Sequence, residues 1–335
     1  MRILLVWSSA DWSIADVARG YDNALRRLGH DVRVYPLNQW IAFFSDLNWG
    51  EIDTIPKQIA VLQLASEKAV VDALRHEAEW VLIISGMGFH PDGCALLNRA
   101  GFKTALLCTE SPYNDEQEAY LAQFVDVLTV NDRTSLTAIK HPRVHYMPQA
   151  YDPAIHHPGQ VPEEYKSDVV FVGTGFAERK ELFESVNWAG INLRLFGYWV
   201  STSPFSPLFP FITPRTMPNE EAARWYKVAK VGLNLHRDGV GYSANPRVFE
   251  LAACGTHQIV DDRRAEVHDL FGDSVCYFHD TYDFEERIRA CLEDEGHRQI
   301  ASRRALECVK EHTFENRAQS LLGWLGEVNN GYITR

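Results

Sequence analysis

Asn245, Pro246, Arg247 and Glu250, in the run AsnProArgValPheGluLeuAlaAlaCysGly from 245 to 255, have the types and spacing to hold a phosphorylated ligand. Asparagine caps a helix well and proline suits its first turn, so a helix starts here with backbone N–H groups unclaimed by the helix itself. Such an end attracts a diphosphate. Arg247, at the second helical position, adds a guanidinium that grips phosphate oxygens in two-pronged fashion. Glu250 stands one turn further on the same face, where a carboxylate can accept both hydroxyls of a ribose. Gly255 then lets the chain turn toward a next strand. The same residues would equally make an ordinary capped helix with a surface Arg–Glu pair, and spacing alone leaves both readings open.

The elements around this run are those of an α/β protein. A chain of 335 residues suggests about two domains of 150 to 170 residues, and its 46% apolar and 23% charged content is that of an ordinary globular protein. Short apolar runs alternate with amphipathic segments, the pattern of parallel strands joined by helices. In the first half the strands are Arg2–Val6, Val32–Tyr35, Trp80–Ile84, Lys103–Cys108 and Val127–Val130, with helices near Ile14–Leu28 and Val61–Arg75. Residues 151–165 read as a linker rich in proline, and a second set of five strands follows: Asp168–Val172, Leu193–Gly197, Val231–Leu235, Gln258–Asp261 and Val275–Phe278. Helices are expected near 179–186, 219–228, 246–254, 265–271, 283–293 and 298–311. The expected architecture is two Rossmann-like domains facing across a cleft, residues 1–150 and 166–312, with the amphipathic segment 313–335 returning to the first domain. Ser201–Pro218, rich in Pro, Phe and Ser, reads as a loop with no regular element. Ligands of such sheets bind at the carboxyl ends of strands, which is where function is sought.

The run at 245–255 resembles the nucleotide-sugar signature of GT-B glycosyltransferases, in particular the CgeB-like group. The resemblance is distributed. AspValValPheValGlyThrGly at 168–175, followed by Arg179, is similar to the strand and glycine-rich turn that open the donor domain in this family. It implies that Gly173 and Gly175 let backbone approach a pyrophosphate which Arg179 or Lys180 neutralises. TyrLysValAlaLysValGlyLeuAsnLeuHisArgAsp at 226–238 looks like the family's strand that carries Asn234 and His236 to the cleft. ThrGluSerProTyr at 109–113 and GluHisThrPheGluAsnArg at 311–317 are also similar to the group. One departure stands out: retaining members carry a Glu-x7-Glu pair, and its first position falls here on Tyr242.

The resemblance implies transfer of a sugar from a nucleotide-diphosphate sugar to an acceptor hydroxyl. The departing diphosphate then needs cations or helix N-termini, which Arg179, Arg247 and the amides near Asn245 supply. The Asp261–Asp262 pair lacks Asp-x-Asp spacing, so no metal site and no cofactor beyond the donor is expected. An inverting course would need a general base, for which Asp11, His90 and Glu110 are candidates at carboxyl strand ends; a retaining course would need none. Asp11 and His90 have bland alternatives as a helix cap and a solvated loop residue, and Glu110 as a structural hydrogen-bond partner. Trp7, Trp12, Tyr113, Trp199 and Tyr242 are the aromatic residues placed to stack on a base or sugar.

Other classes are weighed against this one. An epimerase-like nucleotide-sugar enzyme of the same fold, or a non-catalytic nucleotide-sugar binding protein, would share the donor residues. A nicotinamide-dependent dehydrogenase is disfavoured, because SerSerAlaAspTrpSer, not Gly-x-Gly-x-x-Gly, follows the first strand. The net charge of -12 opposes binding to bulk nucleic acid or anionic lipid. The acceptor is left open among polysaccharide, protein, small molecule and modified nucleic acid. Six scattered cysteines without metal-ligand spacing, no membrane span and no leader-like start make a cytoplasmic enzyme the expectation.

Overall fold

The computed structural model describes residues 1–7, 15–47, 54–199, 202–213, 217–239 and 241–331. The chain forms two compact units, Met1–Pro148 with Phe314–Arg335, and Gln149–Thr313. In the first unit, β1 (Arg2–Trp7), α1 (Ala15–Arg27), β2 (Asp31–Pro36), α2 (Leu37–Asp46), α3 (Ile55–His76), β3 (Trp80–Ile84), α4 (Pro91–Arg99), β4 (Lys103–Leu107), α5 (Asp115–Ala122), β5 (Val127–Val130), α6 (Ser135–Ala138) and β6 (Val144–Tyr146) follow in turn. The strands make one sheet in the order β2-β1-β3-β4-β5-β6, parallel throughout. Helices cover both faces, so β3 and β5 are buried at every residue, and β3 reads as an unbroken apolar run, not as an alternating one.

In the second unit, β7 (Val169–Val172), α7 (Ala177–Glu184), β8 (Leu193–Phe196), β9 (Ile212–Thr213), α8 (Asn219–Val228), β10 (Val231–Asn234), α9 (Pro246–Ala253), β11 (His257–Asp261), α10 (Ala265–Phe271), β12 (Cys276–Phe278), α11 (Thr281–Glu293) and α12 (Glu295–Val309) build a parallel sheet in the order β12-β11-β10-β7-β8-β9. The last helix, α13 (Phe314–Gly331), belongs to the first unit. Its Phe314 ring crosses α1 at Gly20, where a Cβ would stand 2.3 Å from the ring, and it meets Tyr21 edge-on at 5.4 Å. Ala318, Leu321 and Leu325, at helical spacing, are fully buried.

Each sheet has a sixth strand that the pattern of apolar runs does not announce. Strand β6 is three residues long, and β9 is two residues pairing with Leu195 and Phe196. Strand β9 therefore corrects the expectation that 201–218 holds no regular element, and a 3₁₀ turn at Phe209–Phe211 precedes it. Helices α2, α4, α5 and α6 are also new. Helix α4 starts from His90 and Pro91, and its glycine-bearing surroundings hide it. The six cysteines are free. No helix among the described residues is long and apolar enough to cross a membrane.

Candidate functional site

In an open parallel sheet the ligand crevice opens where successive strands depart in opposite directions. In the second unit that point lies between β7 and β10: β8 and β9 continue to one side, β11 and β12 to the other. The loop after β7 holds Gly173, Thr174 and Gly175 and leads into α7 with Arg179. The loop after β10 holds His236 and leads into α9, with Asn245 at its cap. Topology thus gathers at one sheet end residues separated by 77 positions in sequence, Gly173 to Glu250.

The start of α9 is held by a relay of hydrogen bonds. The Asn245 side chain accepts from the Val248 amide at 3.3 Å, and its Nδ2 donates to Asn234 Oδ1 at 2.8 Å. The Asn245 amide donates to His236 Nε2 at 3.3 Å, and His236 Nδ1 lies 3.1 Å from Asp261 Oδ1. These two contacts require the tautomer protonated at Nδ1. The His236 amide also donates to Asp261 Oδ2 at 2.5 Å. Burial raises the Asp261 carboxyl, but the hydrogen bonds from His236 and the charge of Arg263 outweigh it and hold the group below the usual carboxylate range. Around this relay the turn after β11 clamps the 235–245 loop. Arg264 donates to the carbonyls of Gly239 and Arg237 at 2.9 and 2.7 Å, and Glu266 accepts from the Ala244 amide at 2.7 Å.

Cationic charge converges here. Arg179 rises from α7, donating to the Thr174 and Leu235 carbonyls at 3.0 and 2.7 Å, and so ties the loops after β7 and β10 together. Burial pulls its guanidinium down to about 10; Glu178 and Asp261 oppose this, and Arg247 and Arg263 add to it. Arg179 therefore feels both Arg247 and Arg263, of which Arg247 is paired with Glu250 and Arg263 with Asp238. Arg247 donates to Glu250 Oε2 at 2.6 Å and its guanidinium lies over the Tyr226 ring, 5.8 Å from the centroid. Glu250 is buried beneath it, with a side chain 7% exposed against 27% for Arg247.

The glycine amides are engaged within the second unit. The Gly173 amide donates to Phe196 O and the Gly175 amide to Tyr198 O, each at 2.9 Å. A Cβ on Gly175 would stand 2.4 Å from Trp199, and Gly197, at φ +112°, lies against the Gly173 carbonyl. Gly175 thus permits close approach by Trp199, whereas a Cβ on Gly173 would meet the Phe171 ring at 2.9 Å. Trp199 is accordingly a core residue, its Nε1 donating to Phe196 O at 3.2 Å, and the Tyr242 hydroxyl donates to Asp269 at 2.5 Å. The Asp261–Asp262 pair is divided between His236 and His279.

In the first unit Asp11 and Trp12 lie outside the described residues. His90 caps α4, its Nδ1 accepting from the Asp92 amide at 3.2 Å and its amide donating to Ser66 Oγ at 2.7 Å. The Glu110 carbonyl accepts from the Tyr113 and Asn114 amides at 2.8 and 3.2 Å. Sequence reading passes over Glu118 on α5, which is 1% exposed and accepts from Ser111 Oγ at 2.6 Å. Burial pushes its carboxyl up to about 7, a rise that the Ser111 and Cys108 hydrogen bonds temper and Asp115 reinforces. The Ser111 amide in turn donates to Asn131 Oδ1 at 2.9 Å, joining the ends of β4 and β5. Asp261, Arg263, Arg264 and Glu266 are likewise visible only once β10 and β11 are known to be neighbours. Among the described residues no group of three or more His, Cys, Asp or Glu is arranged to hold a metal ion.

Residues 179–323 match the model of a family described as glycosyl transferase-like. Solved structures share the whole fold. Sucrose-phosphate synthase from Thermosynechococcus elongatus superposes with a TM-score of 0.69 at 12% identity, covering 99% of this chain and 100% of that one. An α,α-trehalose 6-phosphate synthase from Burkholderia multivorans gives 0.66 at 13% identity, with 99% of each chain covered. Anabaena HepE, solved in complex with UDP-glucose, gives 0.64 at 11% identity, with 96% of this chain and 99% of that one covered. No curated protein sequence matches the chain. The protein has the GT-B fold of two Rossmann-like units, and the match over 179–323 marks its second unit as glycosyltransferase-like.

Proposed function

We propose that the protein is a glycosyltransferase of the CgeB-like group that moves a sugar from a nucleoside-diphosphate sugar to an acceptor hydroxyl. One observation carries this: the switch point of the second sheet gathers Gly173, Gly175, Arg179, Asn234, His236, Asn245, Arg247 and Glu250, with the Arg179 guanidinium buried and acted on by Arg247. That charge suits a diphosphate, and a similarly folded protein was solved with UDP-glucose. UDP is therefore the nucleotide we assign.

In this reading Arg247 and the first amides of α9 take the diphosphate and stabilise it as it departs, with Arg179 reinforcing the charge. Glu250 holds the ribose hydroxyls. Asn234, His236 and Asp261 keep the cap of α9 in place. The protein's own cations supply the charge that a metal would, so the transfer is metal-independent. If the course is inverting, its base comes from Asp11, His90 or Glu110. The cytoplasm, suited to six free thiols, is the setting.

Thermal melts with UDP-, GDP- and dTDP-sugars test the donor assignment. A donor at 100 times its Kd stabilises by about 2.7 kcal/mol, or several degrees in Tm, and UDP-sugars are expected to give the shift. Arg247→Ala and Glu250→Ala should each abolish it; unaltered shifts in both variants would remove the donor site. Product analysis with donor alone separates transfer from isomerisation.

A further inference from the structure

Two thiols and an imidazole meet near the amino end of β11, on the face of the second sheet that α11 covers. His257 opens β11 and is 2% exposed; its Nε2 stands 3.5 Å from Cys291 Sγ of α11. Two residues along the strand, Ile259 lies in the same core cluster as Cys291 and pairs directly with Cys276 of β12. Alternate residues of a strand share a face. Cys276 therefore points with Phe278 into that cluster, while Tyr277 packs into the one formed by α9. Phe284, Ile288 and Cys291, at helical spacing, are the side chains by which α11 enters the cluster, and the Phe278 and Phe284 rings lie 4.6 Å apart. Strand register and helix face thus bring the two sulfurs together, and the Cys291 thiol donates a hydrogen bond to Cys276 Sγ. The His297 ring meets His257 edge-on at 5.7 Å, but these histidines and thiols are not arranged as metal ligands.

We propose that Cys276 and Cys291 form an oxidation site, in which a hydroperoxide converts Cys276 to a sulfenic acid and Cys291 resolves it to an intramolecular disulfide. A thiol that senses oxidants is accessible, rich in thiolate and next to a resolving thiol. Cys276 is half-buried on β12, the edge strand of its sheet, whereas Cys291 is 6% exposed. The hydrogen bond from Cys291 holds the Cys276 thiol below its ordinary range against the effect of burial, and the charge of Arg287 helps. In the first step Cys276 sulfur attacks a peroxide oxygen: an S–O bond forms, the O–O bond breaks, and the departing hydroxide takes a proton from solvent, matching the one lost by Cys276. In the second, Cys291 sulfur attacks Cys276 sulfur: the S–S bond forms, the S–O bond breaks, and the Cys291 proton leaves with the hydroxide as water. Two thiols and one hydrogen peroxide give one disulfide and two waters; the thiols lose two electrons and the peroxide gains them. In a reducing compartment such a bond is transient and reports oxidant. The inference needs no nucleotide and stands apart from the donor-site reading.

Peptide mapping of the full chain after brief treatment with hydrogen peroxide at neutral pH tests it. Of six thiols, two should be lost, and trypsin without reductant should yield peptides 265–287 and 290–298 joined through Cys276 and Cys291, released again by dithiothreitol. Cys308 is the control: it is also half-buried but packs in the α9 cluster, and Cys276 should be consumed at least about tenfold faster. In Cys291→Ser, Cys276 should stop at a sulfenic acid that dimedone traps; in Cys276→Ser, Cys291 should stay reduced. A wild-type map without the joined peptides, a bridge from Cys276 to another cysteine, or Cys276 and Cys308 consumed at equal rates would overturn the proposal, whether or not either variant folds.

Discussion

Replacing Asp261 by asparagine changes one acceptor into a donor at the centre of the relay that holds α9. Asp261 is 3% exposed and accepts from the His236 amide at 2.5 Å, from His236 Nδ1 at 3.1 Å and from the Arg263 amide at 3.3 Å. The asparagine oxygen can keep one His236 contact, which sets its NH₂ against the Nδ1–H. The ring escapes that clash by moving its proton to Nε2, where it opposes the Asn245 N–H instead. Either way one charge-assisted hydrogen bond is lost and one buried donor is left unmatched, about 3 kcal/mol in all. For a unit of this size that lowers Tm by roughly 6 to 12 °C. Because the disturbed donor is the cap of α9, UDP-glucose affinity should fall at least about tenfold. The folded-state pKa of Asp261 is depressed, so its stabilisation is fully present above the ordinary carboxyl value of about 3.9 and disappears as pH falls through the lower folded value. The gap in Tm between wild type and variant should hold from about pH 5 to 8 and close in stronger acid. A variant that melts with the wild type and binds UDP-glucose equally well would refute the relay.

Two further outcomes follow from the geometry. The Glu118 carboxyl is raised to about 7, above its unfolded value, so wild-type stability should decline as pH rises from about 4.5 to 7; Glu118→Gln should flatten that decline and melt higher at pH 8, by at most roughly 3 kcal/mol, and identical pH profiles of the two melts would contradict the assignment. Gly175→Ala places a Cβ 2.4 Å from Trp199, so overpacking of about 1–3 kcal/mol should appear as a lower Tm, and an unchanged melt would show that the β8 loop yields freely.

The fold was legible where local chemistry decides it. Runs such as Trp80–Ile84 and Val127–Val130 read as buried strands because β-branched residues fill them and turn residues bound them, and Asn245 with Pro246 announces a helix start from local chemistry. Strand order was not legible, because parallel strands buried alike carry no mark of their neighbours. Strand β9 exists only because Leu195 and Phe196 offer it a partner edge. The same divide runs through the site. Arg247 and Glu250 show their chemistry by type and spacing, whereas the task of Gly173 and Gly175 depends on the β8 loop, whose carbonyls take their amides. Asp261 looked like half of a failed metal pair; beside β10 it is the anchor of His236. Glu118 carries no local signal at all, since its environment is assembled from the ends of two strands.

The chain leaves the first unit after Pro148 and comes back to it at Phe314, and each unit closes its own seam. In the second, Tyr151 bridges Thr313 and its amide donates to the His312 carbonyl at 3.1 Å; in the first, Arg317 Nε donates to the Pro148 carbonyl at 2.9 Å. Residues 149–313 therefore form a cassette with stitched ends, which could be lifted out, exchanged for a homologous one or circularly permuted without unpicking either sheet. Removing Phe314–Gly331, by contrast, strips a helix from the first unit and uncovers Gly20 and Tyr21 of α1.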